Sequence, residues 1–326
     1  MTTTSLPRPP FDPLVAAALD ALGELLPSSL TPDMIPVLRQ PNPALPPASD
    51  DELSQGGALQ VSTRTVPGPD GAPDVEVIVL RPTAAMAPVP AVLHTHGGGM
   101  IIGDARTGLL EIAGWAAELG LAVVSVEYRL APETPHPGPV EDCYAALVWT
   151  VRQAAELGID PERVVVAGAS AGGGLAAALA LMARDRGEVA LAGQVLIYPM
   201  LDDRNDTVSA QQMAGVGVWD RTSNQTGWTA LLGDAAGGPD VPAYAAPARA
   251  TDLAGLPPAF IDVASTETFR DEDVAYASRI WAAGGVAELH VWPGGCHGFD
   301  LLVPDAAISQ AARAARIAWL RRLLAA

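Results

Sequence analysis

The chain has 326 residues, 49% of them hydrophobic, which is enough for one large buried core with an accessory piece. With 19 basic and 37 acidic residues it carries a net charge of −18, which repels phosphate backbones and anionic membrane surfaces, so nucleic acid is not an expected partner. Every basic residue is Arg; the absence of Lys excludes P-loop nucleotide chemistry, pyridoxal Schiff bases and Ser-Lys hydrolases.

The N-terminal MTTTSLPRPPFDP lacks the basic segment and apolar run of a signal peptide, and no apolar run reaches the roughly 18 residues of a membrane span. Cys143 and Cys296 are the only cysteines, too few for a disulfide framework or a thiolate metal site, and they suit a reducing compartment. A cytoplasmic protein is expected. Residues 1–50 are rich in Pro, with a short amphipathic stretch around Leu14 to Leu26, and read as an appendage that cannot fold alone.

From residue 59 short β-branched runs alternate with Ala-rich helical stretches, the pattern of a mostly parallel sheet with helices on both faces, hence an α/β fold. The expected strands are 59–66, 75–81, 91–95, 121–126, 163–168, 192–198, 258–264 and 286–292. The expected helices are 107–119, 140–156, 171–185, 270–283 and 306–324. Residues 202–246 interrupt this rhythm, carrying Trp219 and Trp228 among polar and Gly residues, and read as an insertion over the active site. The catalytic unit is then 51–326, with that insertion inside it.

The first chemical motif is HGGG at 96–99, directly after the strand at 91–95. Successive small residues let backbone N–H groups turn toward one point, where they stabilise the oxyanion of a tetrahedral intermediate. The second is GASAG, which sets Ser170 between Gly168 and Gly172, after a β-branched run and before an Ala-rich helix. That is the strand–turn–helix context of a nucleophile elbow, a turn too tight for flanking side chains larger than hydrogen. Ala171, at the positive N-terminus of the following helix, supplies a further backbone donor.

A base must follow the nucleophile in chain order, which leaves His290 and His297 among five His. His290 alternates within AELHVW as a strand residue, whereas His297 lies in the loop GGCHGF, so His297 is the expected base. His94, His96 and His136 are read as structural.

These residues carry a family resemblance. HTHGGGM at 94–100, VEYRLAPE at 126–133, EDCYAALVW at 141–149, GASAGG at 168–173, LPPAFIDVASTETFRDEDVAYA at 256–277 and CHGF at 296–299 appear in order. In these the chain resembles the hormone-sensitive-lipase-like esterases, the bacterial family IV carboxylesterases of the α/β-hydrolase superfamily, from residue 60 to the C-terminus. The resemblance implies an α/β-hydrolase fold with a helical cap formed by the N-terminal segment and the 202–246 insertion. It implies that Gly98 and Gly99 join Ala171 in the oxyanion hole, and that Glu267 is the triad acid. Glu267 stands in ETFRD where the family more often reads DPLRD, and Ala169 stands where Asp or Thr commonly precedes the nucleophile. Asp262 and Asp271 compete with Glu267 for the acid's role. Asp262 lies inside the apolar strand FIDVA, and Asp271 falls at the start of a helix, where a carboxylate meets free N–H groups.

The implied reaction is hydrolysis of short- to medium-chain uncharged carboxylic esters through an acyl-enzyme on Ser170, without cofactor or metal. The expected partner is a small-molecule ester, with a homodimer allowed. Competing readings are an amidase, peptidase or deacetylase on the same residues, or a non-catalytic small-molecule receptor of the same fold. Receptors resembling this family lack the catalytic His, whereas His297 is present.

Overall fold

The β-branched runs pair into one eight-stranded sheet in the computed structural model, which describes residues 6–23, 27, 29–41 and 46–325. The strands are β1 (Leu59–Val66), β2 (Val75–Pro82), β3 (Val89–Thr95), β4 (Ala122–Glu127), β5 (Ile159–Ala169), β6 (Gly193–Ile197), β7 (Ala259–Ala264) and β8 (Ala287–Trp292). They lie in the order β1-β2-β4-β3-β5-β6-β7-β8. β2 runs antiparallel to β1 and β4, and the pairs from β4 through β8 are parallel. Central strands covered on both faces need no polar alternation, and Val164, Val165, Val166 and Ala167 of β5 are all fully buried.

The helices in chain order are α1 (Pro13–Gly23), α2 (Ile35–Leu38), α3 (Asp50–Leu53), α4 (Leu109–Leu119), α5 (Gly138–Arg152), α6 (Ala154–Leu157) and α7 (Ala171–Arg186). They continue with α8 (Val208–Gln212), α9 (Arg221–Leu232), α10 (Arg270–Ala282), α11 (Phe299–Leu302) and α12 (Ala307–Leu324). On one sheet face Leu109, Ile112 and Trp115 of α4 and Trp319 of α12 pack on Val92, Val123, Val165 and Val195. On the other, α5, α7 and α10 cover Leu93, Val124, Val166 and Ile261. The single helix expected over 140–156 is broken at Gln153, whose backbone, at φ −98° and ψ 14°, leaves the helical region.

Among the described residues no helix is long and apolar enough to cross a membrane. The expected amphipathic stretch in the N-terminal segment is α1 through Gly23; positions 24–26 lie outside the described residues. Val15 of α1 packs with Phe11 and Leu19 against Phe299 and Leu302 beside the α11 turn, and Asp12 donates its N–H to Gly294 O at 2.8 Å. Residues 202–246 contain α8 and α9, which the sequence reading left unassigned, and they are tied to the N-terminal segment. Ser29 Oγ donates to Asp220 Oδ2 at 2.8 Å, Leu30 N to Ser223 Oγ at 2.8 Å, and Thr226 Oγ1 to Leu30 O at 2.8 Å.

Candidate active site

β5 ends directly at Ser170, whose backbone sits at φ 59° and ψ −124° before α7 begins at Ala171. A non-Gly residue in that region stores on the order of 1–3 kcal/mol of strain, and the surroundings must hold it. Ser170 N donates to Ile197 O at 2.9 Å, and Met200 N donates to Ser170 O at 2.9 Å. The flanking glycines are required by close approach: a Cβ at Gly172 would lie 2.0 Å from Thr95 O, and one at Gly168 would lie 2.4 Å from the Gly172 carbonyl. The elbow therefore presses β5, α7 and the end of β3 together.

The hydroxyl so presented meets a hydrogen-bonded chain of side chains. His297 Nε2 lies 2.9 Å from Ser170 Oγ, and His297 Nδ1 lies 3.1 Å from each carboxylate oxygen of Glu267. Glu267 is fully buried in the loop after β7, where Phe269 N donates to its Oε1 at 3.3 Å. Since a carboxylate only accepts, it fixes the His297 hydrogen on Nδ1 and leaves Nε2 as an acceptor facing the Ser170 hydroxyl. Phe269 and Tyr198 meet the imidazole edge-on, with centroids 5.2 and 4.9 Å away, which restricts its rotation.

The other acids are engaged elsewhere. Asp262 Oδ2 accepts from Arg316 Nε and Trp292 Nε1, both at 3.0 Å. Asp271, in the first turn of α10, accepts Ser209 N–H at 2.8 Å and Arg270 Nε–H at 2.8 Å. Among the histidines, His290 of β8 contacts Glu288 at 2.9 Å, well away from Ser170 in the sheet order, and His136 donates its backbone N–H to Leu231 O at 3.0 Å.

Gly98, at φ 114°, and Gly99, at φ 61°, turn the loop after β3 back toward Ser170. A Cβ at Gly98 would lie 2.1 Å from Ile102 O. Among the described residues neither N–H donates to a backbone carbonyl, and that of Ala171 is a free first-turn donor of α7. The loop is braced from below: the His96 ring stacks on Tyr128 at 4.0 Å and 9°, and Tyr128 OH donates to His96 O at 2.7 Å. Burial pushes the His96 pKa down to about 4, so the ring is neutral, and its Nδ1 lies 2.8 Å from Gly97 O. Tyr198, which the sequence did not mark, and Trp219, of the insertion expected over the active site, complete the surroundings. Trp219 leans on the loop so closely that a Cβ at Gly99 would lie 2.2 Å from its ring, and Tyr198 borders His297. Neither belongs to a spaced motif; both reach the site only through the fold.

Ser170, His297, Gly98 and Gly99 line one cavity of about 800 Å³. Apolar side chains from both accessory segments face it, among them Leu19, Leu22, Leu30, Val218 and Trp219. Such an arrangement can deprotonate a hydroxyl, add it to a carbonyl carbon and hold the resulting oxyanion.

Comparison with known proteins agrees with that chemistry. A family model described as the α/β hydrolase fold matches residues 92–301. The chain is 37% identical over 314 residues to the carboxylesterase NlhH of Mycobacterium tuberculosis, covering 94% of this chain and 95% of that protein. It superposes on a bacterial heroin esterase with a TM-score of 0.86 at 41% identity, covering 96% of this chain and 98% of that one. Hormone-sensitive lipase of Homo sapiens matches over 119 residues at 38% identity, 36% of this chain and 11% of the lipase. The chain belongs to the α/β-hydrolase family, in its branch of carboxylesterases akin to hormone-sensitive lipase.

Proposed function

We propose that the protein hydrolyses uncharged carboxylic esters of short to medium chain length, with Ser170 as nucleophile, His297 as general base and Glu267 as the acid that orients it. The observation that carries this reading is the continuous Glu267–His297–Ser170 chain of hydrogen bonds opening into an apolar cavity. Ser170 Oγ attacks the ester carbonyl carbon while His297 Nε2 takes its proton. The oxyanion is held by the N–H groups of Gly98, Gly99 and Ala171. The C–O bond to the alcohol then breaks, and His297 returns the proton to the leaving oxygen, which leaves an acyl-serine. Water, deprotonated by His297, releases the acid by the same steps in reverse.

Residues 1–50 and 202–246 together act as a cap that shapes the cavity; their mutual hydrogen bonds and shared cavity lining support this role. The net charge of −18 disfavours anionic esters. Two buried free cysteines suit a cytoplasmic setting.

A fluorophosphonate probe tests the reading directly, because it reacts only with a serine activated in this way. The expected result is stoichiometric labelling of the wild-type protein, none of Ser170→Ala, and turnover of simple alkyl esters faster than of matched amides. A wild-type protein that takes no label would favour a receptor of the same fold.

A further inference from the structure

The cavity extends past the nucleophile to an end lined by His94, Thr107, Gly108, Glu111 and Ile112, on the sheet face covered by α4. His94 is only 3% exposed, and its surroundings fix its tautomer. Ser125 Oγ has one proton, which it donates to Ala105 O at 2.6 Å. Toward His94 Nδ1, 2.8 Å away, it can therefore only accept, so Nδ1 carries the ring hydrogen. Burial, aided by the nearby His96, pushes the His94 pKa down to about 3, and the ring is neutral at ordinary pH. Its Nε2 is thus a bare acceptor, without a hydrogen-bond partner among the described residues. It faces Gly108, where even an added Cβ would stand 3.9 Å away. Of the other polar groups at this end, the Thr107 hydroxyl is engaged with Asp104 and Glu111 Oε1 with Arg316, whose charge the Glu111 carboxylate already shares, while Glu111 Oε2 has no partner among the described residues.

We propose that this end of the cavity is a subsite for a hydroxyl group carried on one arm of the ester, with His94 Nε2 accepting the hydroxyl proton. The inference rests on the esterase reading above and names the substrate class within it. A methyl group there would leave a buried acceptor unpaired, whereas a hydroxyl pairs it. A site built on such an acceptor rejects the analogue lacking the donor far more strongly than an apolar pocket rejects an extra methylene. An ammonium could also donate, but it would shed a much larger hydration energy on entering. Register sets the reach: His94 is level with Ala167 of β5, three residues before Ser170, or roughly 10 Å along the strand. The hydroxyl therefore belongs at the far end of a medium-length arm rather than beside the ester carbonyl.

The test is kcat/KM for alkyl esters against esters of equal length ending in a hydroxyl. One series carries the hydroxyl on the acyl arm and one on the alcohol arm, each with increasing length. In one series, at one length, the wild-type protein is expected to prefer the hydroxyl ester by about tenfold or more, and His94→Phe to remove that preference. The ratio is taken within one protein, so a general loss of turnover or stability cancels, and should His94→Phe not fold, the wild-type ratio still decides. A flat ratio at every length in both series would overturn the subsite and leave the esterase reading standing, while absence of turnover on either kind of ester would remove both. A preference that survives in His94→Phe, or an ammonium-ended ester preferred to the hydroxyl one, would also overturn the assignment.

Discussion

In the proposed mechanism Ser170 acts only while His297 presents an unprotonated Nε2, and a single carboxylate decides that. Replacing Glu267 by Gln keeps the shape but supplies an amide that can donate to Nδ1, which would put the imidazole hydrogen on Nε2, pointing at Ser170 Oγ 2.9 Å away. The expected result is a fold intact by circular dichroism with turnover down by up to roughly four orders of magnitude. Asp271→Asn should instead leave turnover nearly unchanged and lower the melting temperature, because that carboxylate holds Ser209 N–H and Arg270 rather than an imidazole. The reverse ranking of the two variants would transfer the acid's role to Asp271. The Ser170–His297 contact was legible because its signals are local: a strand, a turn and a helix in one window, and a histidine in a loop rather than a strand. Which carboxylate meets His297 was not legible from spacing, since Glu267, Asp271 and Asp262 all lie within ten residues of one another. What separates them is the path of the chain after β7, which turns Glu267 toward the imidazole and leaves Asp262 beneath, against Arg316 and Trp292. The cavity beside His94, likewise, exists only in the folded chain.

Among the elements, α9 shows how the accessory segments are held. Its N-cap, Asp220, accepts from Ser223 N at 2.8 Å, Ser223 Oγ at 2.7 Å and Gly215 N at 2.9 Å, and from Ser29 Oγ at 2.8 Å across to the N-terminal segment. Burial raises the pKa of this carboxyl, but the hydrogen bonds from Ser223, Gly215 and Ser29 together outweigh it, and the net shift is downward. A carboxyl with a folded pKa below its unfolded value stabilises the protein above the unfolded value, near 3.9, and loses that contribution as pH falls through the folded one. Asp220→Ala should therefore cost about 1–2 kcal/mol in chemical denaturation at neutral pH, and the gap from wild type should close only below about pH 4. A gap that stays constant into acid would show that the charge on Asp220 is irrelevant to the cap. The main helices and all eight strands of the sheet were visible as periodicity, but α8 and α9 were not. α9, RTSNQTGWTALL, carries polar residues and Gly inside the helix, and its stability comes from Asp220 and from Trp228, buried in the main core.

At the scale of the whole molecule, an excess of negative charge is organised around one buried cation. Arg316 of α12 is fully buried; its Nε donates to Asp262 of β7 at 3.0 Å, and its Nη1 to Glu111 of α4 at 3.0 Å and to Asp300 of α11. Partners 54, 205 and 16 residues away in sequence are thereby joined through one guanidinium. Asp300 also accepts from Tyr198 OH at 3.1 Å, and Tyr198 meets the His297 ring edge-on, so the network reaches His297 through Tyr198. Helical periodicity placed α12, yet nothing in AARAARIAWLRR distinguishes Arg316 from Arg313, Arg321 or Arg322, because burial of a charge is decided by distant partners. Arg316→Met keeps an unbranched apolar side chain but strands the carboxylates without their cation. Breaking a buried ion pair from one side costs about 3–5 kcal/mol, a large share of the roughly 5–15 kcal/mol that holds a domain together. Burial already raises the pKa values of Asp262 and Glu111, opposed by Arg316, while Asp300 is held below the ordinary carboxylate value against its burial chiefly by Arg316. Without the guanidinium all three should rise, and a carboxyl whose folded pKa exceeds its unfolded one stabilises most at low pH and loses that contribution as pH rises. The variant should therefore lose most stability near neutrality, and its deficit in denaturation free energy should shrink as pH falls from about 7 toward about 4. A deficit independent of pH would mean that Arg316 acts through packing of its stem rather than as the charge that the interior is built around.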